Sequence, residues 1–354
     1  MPSLTAIKAN GTAQKKSTIE PIIGRYVETS PRITAMAMTR PPSTVGVILL
    51  LFIKMRVHHY NEHVLLSKIK LNGVIFMLKP RVGHINFLNV LPLTYSYQNG
   101  YDEGLSMTYE VPSVLNNYMK NNLLDISPIS SIAYARQSGN LLLLPDLCIR
   151  ADCDVTSIVL ISRKPIEQLK DDKIILTAKS ETSHCLLKII LAEGYQANPV
   201  YDIRHINTEE PVPDDASASL FIGDDALYMY LHTPENLYCY DLGKEWYKLT
   251  GHSMVYAVWA VRKDFAKKSP EVLKFAYDKI YAGMQDGIKN KNMAVKSVLN
   301  KKPFTCEELN KYLGNIIKWD FPKSSLESLM EYYRLAEKLN LINQVPEPKF
   351  AEII

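Results

Sequence analysis

The order of apolar and polar positions predicts alternating strands and helices over most of the chain. In "GHINFLNVLPLTYSY", residues 83–97, apolar Ile85 and Phe87 alternate with polar neighbours, which is typical of a strand. Asn89 and Pro92 follow, and both residue types favour the first turn of a helix. The stretch therefore predicts a strand whose end passes into a helix capped by Asn89.

The same pattern predicts further strands and helices that alternate along the chain. The predicted strands are "LSMTYEVP", "LLDISPIS", "LLLLPDL", "VTSIVLIS", "KIILTAK", "SASLFI" and "MVYAVWAVR". The predicted helices are "PSVLNNYMKNN", "SSIAYARQ", "SETSHCLLKIILAEGY", "SPEVLKFAYDKIYAGM", "TCEELNKYLGNII" and "SSLESLMEYYRLAEKLNLI". Capping patterns at Thr305–Glu308 and Ser324–Glu327 open the last two helices. This alternation predicts an α/β fold.

The order of the elements predicts two lobes joined by a hinge, followed by a helical C-terminal tail. Residues 77–164 and 256–354 are expected to form lobe 1, which includes the C-terminal helices. Residues 165–255 are expected to form lobe 2. The chain is expected to cross between the lobes near 160–166 and 252–258.

Residues 1–76 differ in charge from the rest of the chain. They hold ten Lys and Arg against three Asp and Glu, whereas the rest holds 31 basic and 34 acidic residues. The main body is therefore not expected to bind nucleic acid through its charge. The apolar run "VGVILLLFI" has nine residues, fewer than the roughly 20 that span a bilayer.

We expect residues 1–76 to form a poorly structured extension, with Met77 as the native start. A signal peptide or a transit peptide is the alternative interpretation of this basic segment. The five cysteines form no CxxC pair, which predicts neither a disulfide framework nor a zinc site and suits a reducing cytoplasm.

Small polar residues gather at three predicted strand-to-helix junctions. They are Asn89, the pair Ser130 and Ser131, and the group Ser180, Thr182 and Ser183. The amino end of a helix attracts carboxylates and phosphates, so these junctions suit a small dicarboxylate if they face one cleft. Asp224, in "GDDAL", is a further candidate for that cleft, and His184 lies where it could titrate. Each of these polar residues is also an ordinary helix cap.

Several longer segments carry a family resemblance. "GHINFLNVLPL", "VPSVLNNYMKNNLLDISPISSIAYAR", "LLLPDLCI", "SETSHCLLKIIL", "IGDDAL", "YDLGKEWYKLTG" and "YAVWAVR" occur in this order. Together they resemble the chorismate dehydratases of the futalosine route to menaquinone (vitamin K2), over about residues 79–265. The family often has a basic residue and a tyrosine where this chain has His84 and Phe87.

The resemblance implies a periplasmic-binding-protein-like type 2 fold, in which two lobes close on the ligand. It implies conversion of chorismate to 3-[(1-carboxyvinyl)oxy]benzoate and water, without a metal or an organic cofactor. The expected partner is this small molecule, with no nucleic acid and no membrane, in a cytoplasmic monomer or homodimer. Asn89 would be the catalytic residue. The expected substrate-binding residues are Ser130, Ser131, Ser180, Thr182, Ser183 and Asp224.

Three other functions remain open on this fold. The related 1,4-dihydroxy-6-naphthoate synthases open with a Ser-Pro-Cys-Pro-Asn-like segment, whereas this chain has Leu-Asn-Val-Leu-Pro. A non-catalytic solute-binding protein would carry a leader or a lipid-anchoring cysteine before the first strand, and residues 64–80 have neither. The effector-binding part of a transcription regulator would need a helix-turn-helix, which residues 1–76 do not resemble.

Overall fold

The computed structural model describes the backbone of residues 68–71 and 74–77 and the whole chain from residue 79 to residue 354. The predictions made for residues 1–67 lie outside the described residues. Lys68–Leu71 (β1) and Val74–Met77 (β2) pair as a two-stranded antiparallel sheet, so this end of the predicted extension has regular strand pairing.

The remaining strands alternate with helices, as the α/β pattern predicts. The strands are β3 (Arg81–Ile85), β4 (Ser106–Glu110), β5 (Ile126–Ser130), β6 (Leu141–Ala151), β7 (Ile158–Ser162), β8 (Lys173–Thr177), β9 (Val200–Arg204), β10 (Ala218–Ile222), β11 (Tyr238–Asp241), β12 (Met254–Arg262) and β13 (Ile317–Asp320). The helices are α1 (Leu91–Ser96), α2 (Pro112–Lys120), α3 (Ser131–Gln137), α4 (Thr182–Ile189), α5 (Gly223–Leu231), α6 (Leu242–Thr250), α7 (Lys263–Lys268), α8 (Pro270–Lys289), α9 (Lys291–Lys296), α10 (Cys306–Lys311) and α11 (Lys323–Lys338). Short helical turns of other pitch lie at Leu88–Val90, Tyr97–Tyr101, Ile166–Gln168, Ile190–Gly194 and Tyr312–Ile316.

Two mixed sheets divide the described chain. The first has six strands in the order β13-β6-β12-β5-β3-β4, and the second has five in the order β11-β7-β10-β8-β9. We refer to the parts built on them as the six-stranded lobe and the five-stranded lobe. The central strands β5, β10 and β12 are buried almost throughout, which suits strands covered by helices on both faces.

The strand β7 belongs to the five-stranded lobe, where it pairs with β10 and β11. The chain therefore first passes from the six-stranded to the five-stranded sheet at residues 152–157. This is earlier in the chain than the crossing predicted near 160–166. The second passage lies at 242–253 and includes α6. An apolar run such as "SIVLIS" shows that a strand is buried but not which sheet it joins, and the lobe boundaries at 164/165 and 255/256 stay a prediction.

The ends of three helices show whether the predicted caps at Thr305, Ser324 and Asn89 are correct. The capping box at Thr305 and Glu308 is confirmed, since each side chain bonds the other's backbone N–H. The cap predicted at Ser324 is wrong, because α11 already begins at Lys323 after Pro322. Asn89 is not a helix cap either: it lies inside the turn Leu88–Val90, because that extra turn precedes α1.

No helix in the described part of the chain is long and apolar enough to cross a membrane. Among the described helices the longest is α8, and it packs on α1, the helix that directly follows the turn carrying Asn89. Gly287 in α8 allows this approach, since a Cβ atom there would lie 2.0 Å from the carbonyl oxygen of Pro92. The close contact between two backbones therefore fixes α1 and the turn before it.

We expect Gly287→Ala to lower the free energy of unfolding by about 1–3 kcal/mol, because the added methyl group overlaps the backbone of α1. Urea denaturation followed by circular dichroism measures this. Gly139→Ala is the control, since nothing lies within 4 Å of a Cβ atom there, and it should change stability by less than about 1 kcal/mol. Equal effects of the two changes would contradict the close-packing argument.

Candidate active site

A cavity of about 50 Å³ lies between the two lobes, and both lobes contribute to its wall. Its polar lining consists of Asn89, Ser130, Ser157, Ser180, Thr182, Ser183 and Tyr256. The rest of the lining is aliphatic, apart from Phe87, Pro112 and Gly223. Within the described chain no Asp, Glu, His, Cys, Lys or Arg side chain lines the cavity. The cavity therefore offers uncharged hydrogen-bonding groups on an apolar wall.

Asn89 reaches the cavity from the turn between β3 and α1. The backbone carbonyl of Asn89 accepts a hydrogen bond from the indole Nε1 of Trp319 at 2.8 Å, which fixes the turn against β13. The side-chain Oδ1 of Asn89 is buried and has no hydrogen-bond partner among the described residues. A buried polar atom without a partner is costly, so this oxygen is free to accept a hydrogen bond from a group inside the cavity.

Ser130 ends β5 and is held by Asn116 of α2. The Asn116 Oδ1 accepts the backbone N–H of Ser130 at 2.9 Å, and the Asn116 Nδ2 donates to the Ser130 Oγ at 3.0 Å. The Ser130 oxygen is thus an acceptor toward the protein. No described residue accepts its hydrogen, which leaves that hydrogen available to the cavity.

Ser180, Thr182 and Ser183 lie where β8 passes into α4. The Oγ1 of Thr182 accepts the backbone N–H of Ile132, in the six-stranded lobe, at 3.3 Å. The hydroxyl of Ser180 donates to the Oγ of Ser183 at 3.1 Å. The oxygens of Thr182 and Ser183 are therefore occupied as acceptors, and their hydrogens have no acceptor in the described structure.

Two of the predicted binding residues lie elsewhere. The Ser131 hydroxyl is fully buried and donates to the carbonyl oxygen of Val255 at 2.7 Å, because the first turn of α3 packs on β12. The Asp224 carboxylate accepts the backbone N–H of Leu88 at 2.9 Å and binds the Lys302 ammonium at 2.6 Å. Neither side chain lines the cavity, so their substrate-binding roles stay predictions without a direct contact to support them.

Asp224 instead connects the lobes beside the cavity. Its two bonds reach from the start of α5 in the five-stranded lobe to the turn that carries Asn89 and to Lys302. Close by, Gly223 packs on the ring of Phe87, and a Cβ atom there would lie 2.9 Å from that ring. These contacts hold the Asn89 turn against the opposite lobe.

Tyr256 and Ser157 also line the cavity, and neither was predicted from the sequence. Tyr256 lies in the apolar strand β12, and its buried hydroxyl has no partner among the described residues. Burial raises the pKa of Tyr256 well above its usual value, so the hydroxyl stays protonated and can act as a donor. Ser157 accepts a hydrogen bond from the Tyr312 hydroxyl at 2.7 Å. The one feature of the sequence that could have indicated Tyr256 is that it is a tyrosine inside the apolar run "MVYAVWAVR".

The two histidines noted in the sequence do not line the cavity. The ring Nε2 of His184 lies 2.7 Å from the carbonyl oxygen of Thr177, and burial lowers the pKa of His184. The ring Nε2 of His84 lies 2.7 Å from the Oγ1 of Thr94, which gives its own hydrogen to the carbonyl of Val90. The His84 ring is therefore the donor in this pair, and burial lowers the pKa of His84 to about 3.

A family model described as menaquinone biosynthesis matches residues 80–338. The chain belongs to this menaquinone biosynthesis family. It is 30% identical over 202 residues to a chorismate dehydratase of Thermus thermophilus, a match that covers 53% of this chain and 72% of that protein. The recognition of the family from its motifs is thus confirmed.

The fold is shared with solved structures of low sequence identity. Protein AF1704 from Archaeoglobus fulgidus superposes with a TM-score of 0.59 at 18% identity, covering 75% of this chain and 98% of that protein. The periplasmic aliphatic sulphonate binding protein SsuA from Escherichia coli gives a TM-score of 0.53 at 11% identity, covering 77% and 94%. The predicted periplasmic-binding-protein-like α/β fold is confirmed.

We expect the buried His84 to make the stability of this family member fall as the pH falls below 6.5. Between the unfolded pKa near 6.5 and the folded pKa of about 3, only the unfolded state binds the proton, so acid favours unfolding. Between pH 7 and pH 5 this amounts to roughly 2 kcal/mol, at 1.36 kcal/mol per pKa unit.

Urea denaturation at pH 7 and pH 5 tests this on the wild type and on His84→Gln. The wild type should lose roughly 2 kcal/mol more than the variant over this interval. His205→Gln, at an exposed position, is the control and should keep the wild-type dependence. If His84→Gln keeps the full wild-type pH dependence of stability, His84 already takes up a proton in the folded state.

Proposed function

We propose that the chain is a chorismate dehydratase, a lyase that converts chorismate to 3-[(1-carboxyvinyl)oxy]benzoate and water. Membership of the menaquinone biosynthesis family and the similarity to a curated chorismate dehydratase support this assignment. A place in the futalosine route and a cytoplasmic setting are parts of the same proposal. The observation that carries it is that the Ser130, Thr182 and Ser183 hydroxyl hydrogens are all available to one uncharged cavity.

These three hydroxyls suit a dicarboxylate. The oxygens of Ser130, Thr182 and Ser183 each already accept a hydrogen bond from the protein, and the hydrogen of each hydroxyl is left to donate to a ligand. Ser130 lies in the six-stranded lobe, and Thr182 and Ser183 lie in the five-stranded lobe. Chorismate carries two carboxylates, and we assign one of them to each side of the cavity. Hydrogen bonds to a charged group contribute about 1.5–3 kcal/mol each.

The absence of an ionisable base from the described lining suits this reaction. Removing the C3 proton and the C4 hydroxyl makes the ring of chorismate aromatic, so the chemistry is strongly downhill. We propose that the substrate's own enolpyruvyl carboxylate takes the C3 proton. The C3–H bonding pair then forms the new ring double bond as the C4–O bond breaks, and the departing hydroxide leaves as water once it gains the proton.

The protein then has three tasks: to hold one conformer, to orient the leaving hydroxyl and to exclude water. We assign the orientation to Asn89, whose side-chain oxygen is buried without a partner in the described structure. Tyr256, protonated and buried, adds a second polar group to the same cavity. The aliphatic remainder of the wall keeps water away from the reacting carbon atoms.

Substrate entry requires the lobes to move apart from the arrangement described. The cavity of about 50 Å³ is far smaller than the roughly 300–1,000 Å³ of typical small-molecule pockets. The contacts of Asp224 with Leu88 and Lys302 join the lobes beside the cavity and would have to break. Lobe closure would thus assemble the site around the substrate, as in other hinged enzymes.

We expect the full-length protein to convert chorismate to an aromatic 3-substituted benzoate with the loss of one water. Ultraviolet absorbance follows the aromatic product, and mass spectrometry identifies it. Tight binding with chorismate returned intact would instead indicate a solute-binding protein. If chorismate neither binds nor reacts, the related naphthoate synthase reaction becomes the function to test.

We expect Asn89→Ala to reduce kcat/KM for chorismate by roughly 10- to 150-fold, which corresponds to one hydrogen bond to a charged or developing charged group. Steady-state kinetics of the dehydration measure it. Asn86→Ala is the matched control, since Asn86 lies exposed in the same stretch and does not line the cavity. A loss below about threefold at Asn89 would remove it from the reacting centre.

A further inference from the structure

Asn116 uses every hydrogen-bonding group of its amide, although it does not line the cavity. It lies on the buried face of α2, where only 2% of its surface is exposed. Its Oδ1 accepts the backbone N–H of Ser130 at 2.9 Å. Its two amide hydrogens go to the Oγ of Ser130, at 3.0 Å, and to the Oε1 of Glu181, at 2.9 Å.

The orientation of this amide follows from its partners. A backbone N–H can only donate, so the Asn116 atom that faces the Ser130 nitrogen must be the oxygen. A carboxylate can only accept, so the atom that faces Glu181 must be the nitrogen. The Ser130 hydroxyl therefore meets a donor and cannot turn its own hydrogen toward α2.

Glu181 adds a contact between the lobes. It directly precedes α4 in the five-stranded lobe, whereas α2 and Arg136 belong to the six-stranded lobe. One carboxylate oxygen of Glu181 accepts from Asn116, and the other accepts from Arg136 at 2.7 Å. Glu181, which bonds Asn116, thus directly precedes Thr182, and Thr182 lines the cavity.

We propose that Asn116 is a positioning residue that directs the Ser130 hydroxyl hydrogen to a substrate carboxylate, and that Glu181 fixes the Asn116 amide when the lobes meet. This rests on the proposed function, because it names the group that orients a donor for the dicarboxylate. Asn116 touches no reacting atom and acts through Ser130. We assign the ring carboxylate to Ser130. Unlike the enolpyruvyl carboxylate, which takes the C3 proton, the ring carboxylate keeps its charge through the reaction, so the oriented donor should strengthen ground-state and transition-state binding equally.

The test is the change Asn116→Asp, which keeps the shape of the side chain and replaces the amide donor by a second acceptor. Ser130 would then turn its hydrogen toward α2 and present lone pairs to the substrate. We expect KM for chorismate to rise by roughly 10- to 150-fold, with kcat changed by less than about threefold. Asn117→Asp, the same charge change at the exposed neighbouring position, is the matched control and should leave KM within about twofold.

A double-mutant cycle with Ser130→Ala separates positioning from a general structural role. If Asn116 acts through Ser130, adding Asn116→Asp to Ser130→Ala should raise KM by less than about threefold further. A full additional rise, or a loss confined to kcat, would overturn the inference. If Asn116→Asp does not fold by circular dichroism, the same cycle is run with Asn116→Ala.

The cycle also distinguishes this inference from the proposed function. If the wild-type protein dehydrates chorismate but the effects of Asn116→Asp and Ser130→Ala on KM simply add, the proposed function stands and the positioning role is rejected. A wild-type protein that leaves chorismate unchanged would reject the function, and the positioning role for that substrate would fall with it.

Discussion

A hydroxyl group has one hydrogen, and its direction depends on what its oxygen already accepts. At Ser130, Thr182 and Ser183 the oxygen is occupied by an amide, a backbone N–H and a neighbouring hydroxyl, respectively. The cavity is thereby lined with donors whose direction is set by the fold. The two sheets, the strand-to-helix junctions and the contact between the lobes all serve to place these oxygens against their donors.

The charged groups near the cleft lie outside the cavity and are paired. Asp224 and Glu181, the two acids at the meeting of the lobes, each bind a cation and a second donor. Their charges are therefore balanced before a ligand enters. A dianion in such a cavity meets oriented dipoles instead of a formal positive charge. In the proposed reaction, this arrangement would stabilise the charge of the substrate without offering, in the described lining, a charged side chain that competes for its proton.

The sequence predicted the large-scale features because they depend on periodic apolar patterns. The strand Met254–Arg262 and the capping box at Thr305 are local signals and agree with the structure. Of the candidate residues, Asn89 and the hydroxyls of Ser130, Ser180, Thr182 and Ser183 line one cavity. Their direct roles toward a substrate stay predictions.

What the sequence could not predict depends on contacts between distant segments. The Ser131 hydroxyl bonds a carbonyl 124 positions away, and Asp224 bonds the turn at Leu88, 136 positions away. Asn116 was missed because an asparagine in a helix is usually a solvated side chain, and its burial depends on how α2 packs on β5. The extra turn before α1 arises in the same way, from the contacts of Leu88 and Asn89 with residues far along the chain.

The hydrogen bond from Trp319 to Asn89 also has a consequence for synthesis on the ribosome. The two residues are 230 positions apart, and chains grow at about 5–20 residues per second. The turn that carries Asn89 is therefore synthesised roughly 10–50 s before the indole that fixes it. Until then this loop is a nascent segment without its partner, so the turn that carries Asn89 is completed late in biogenesis although it is encoded early.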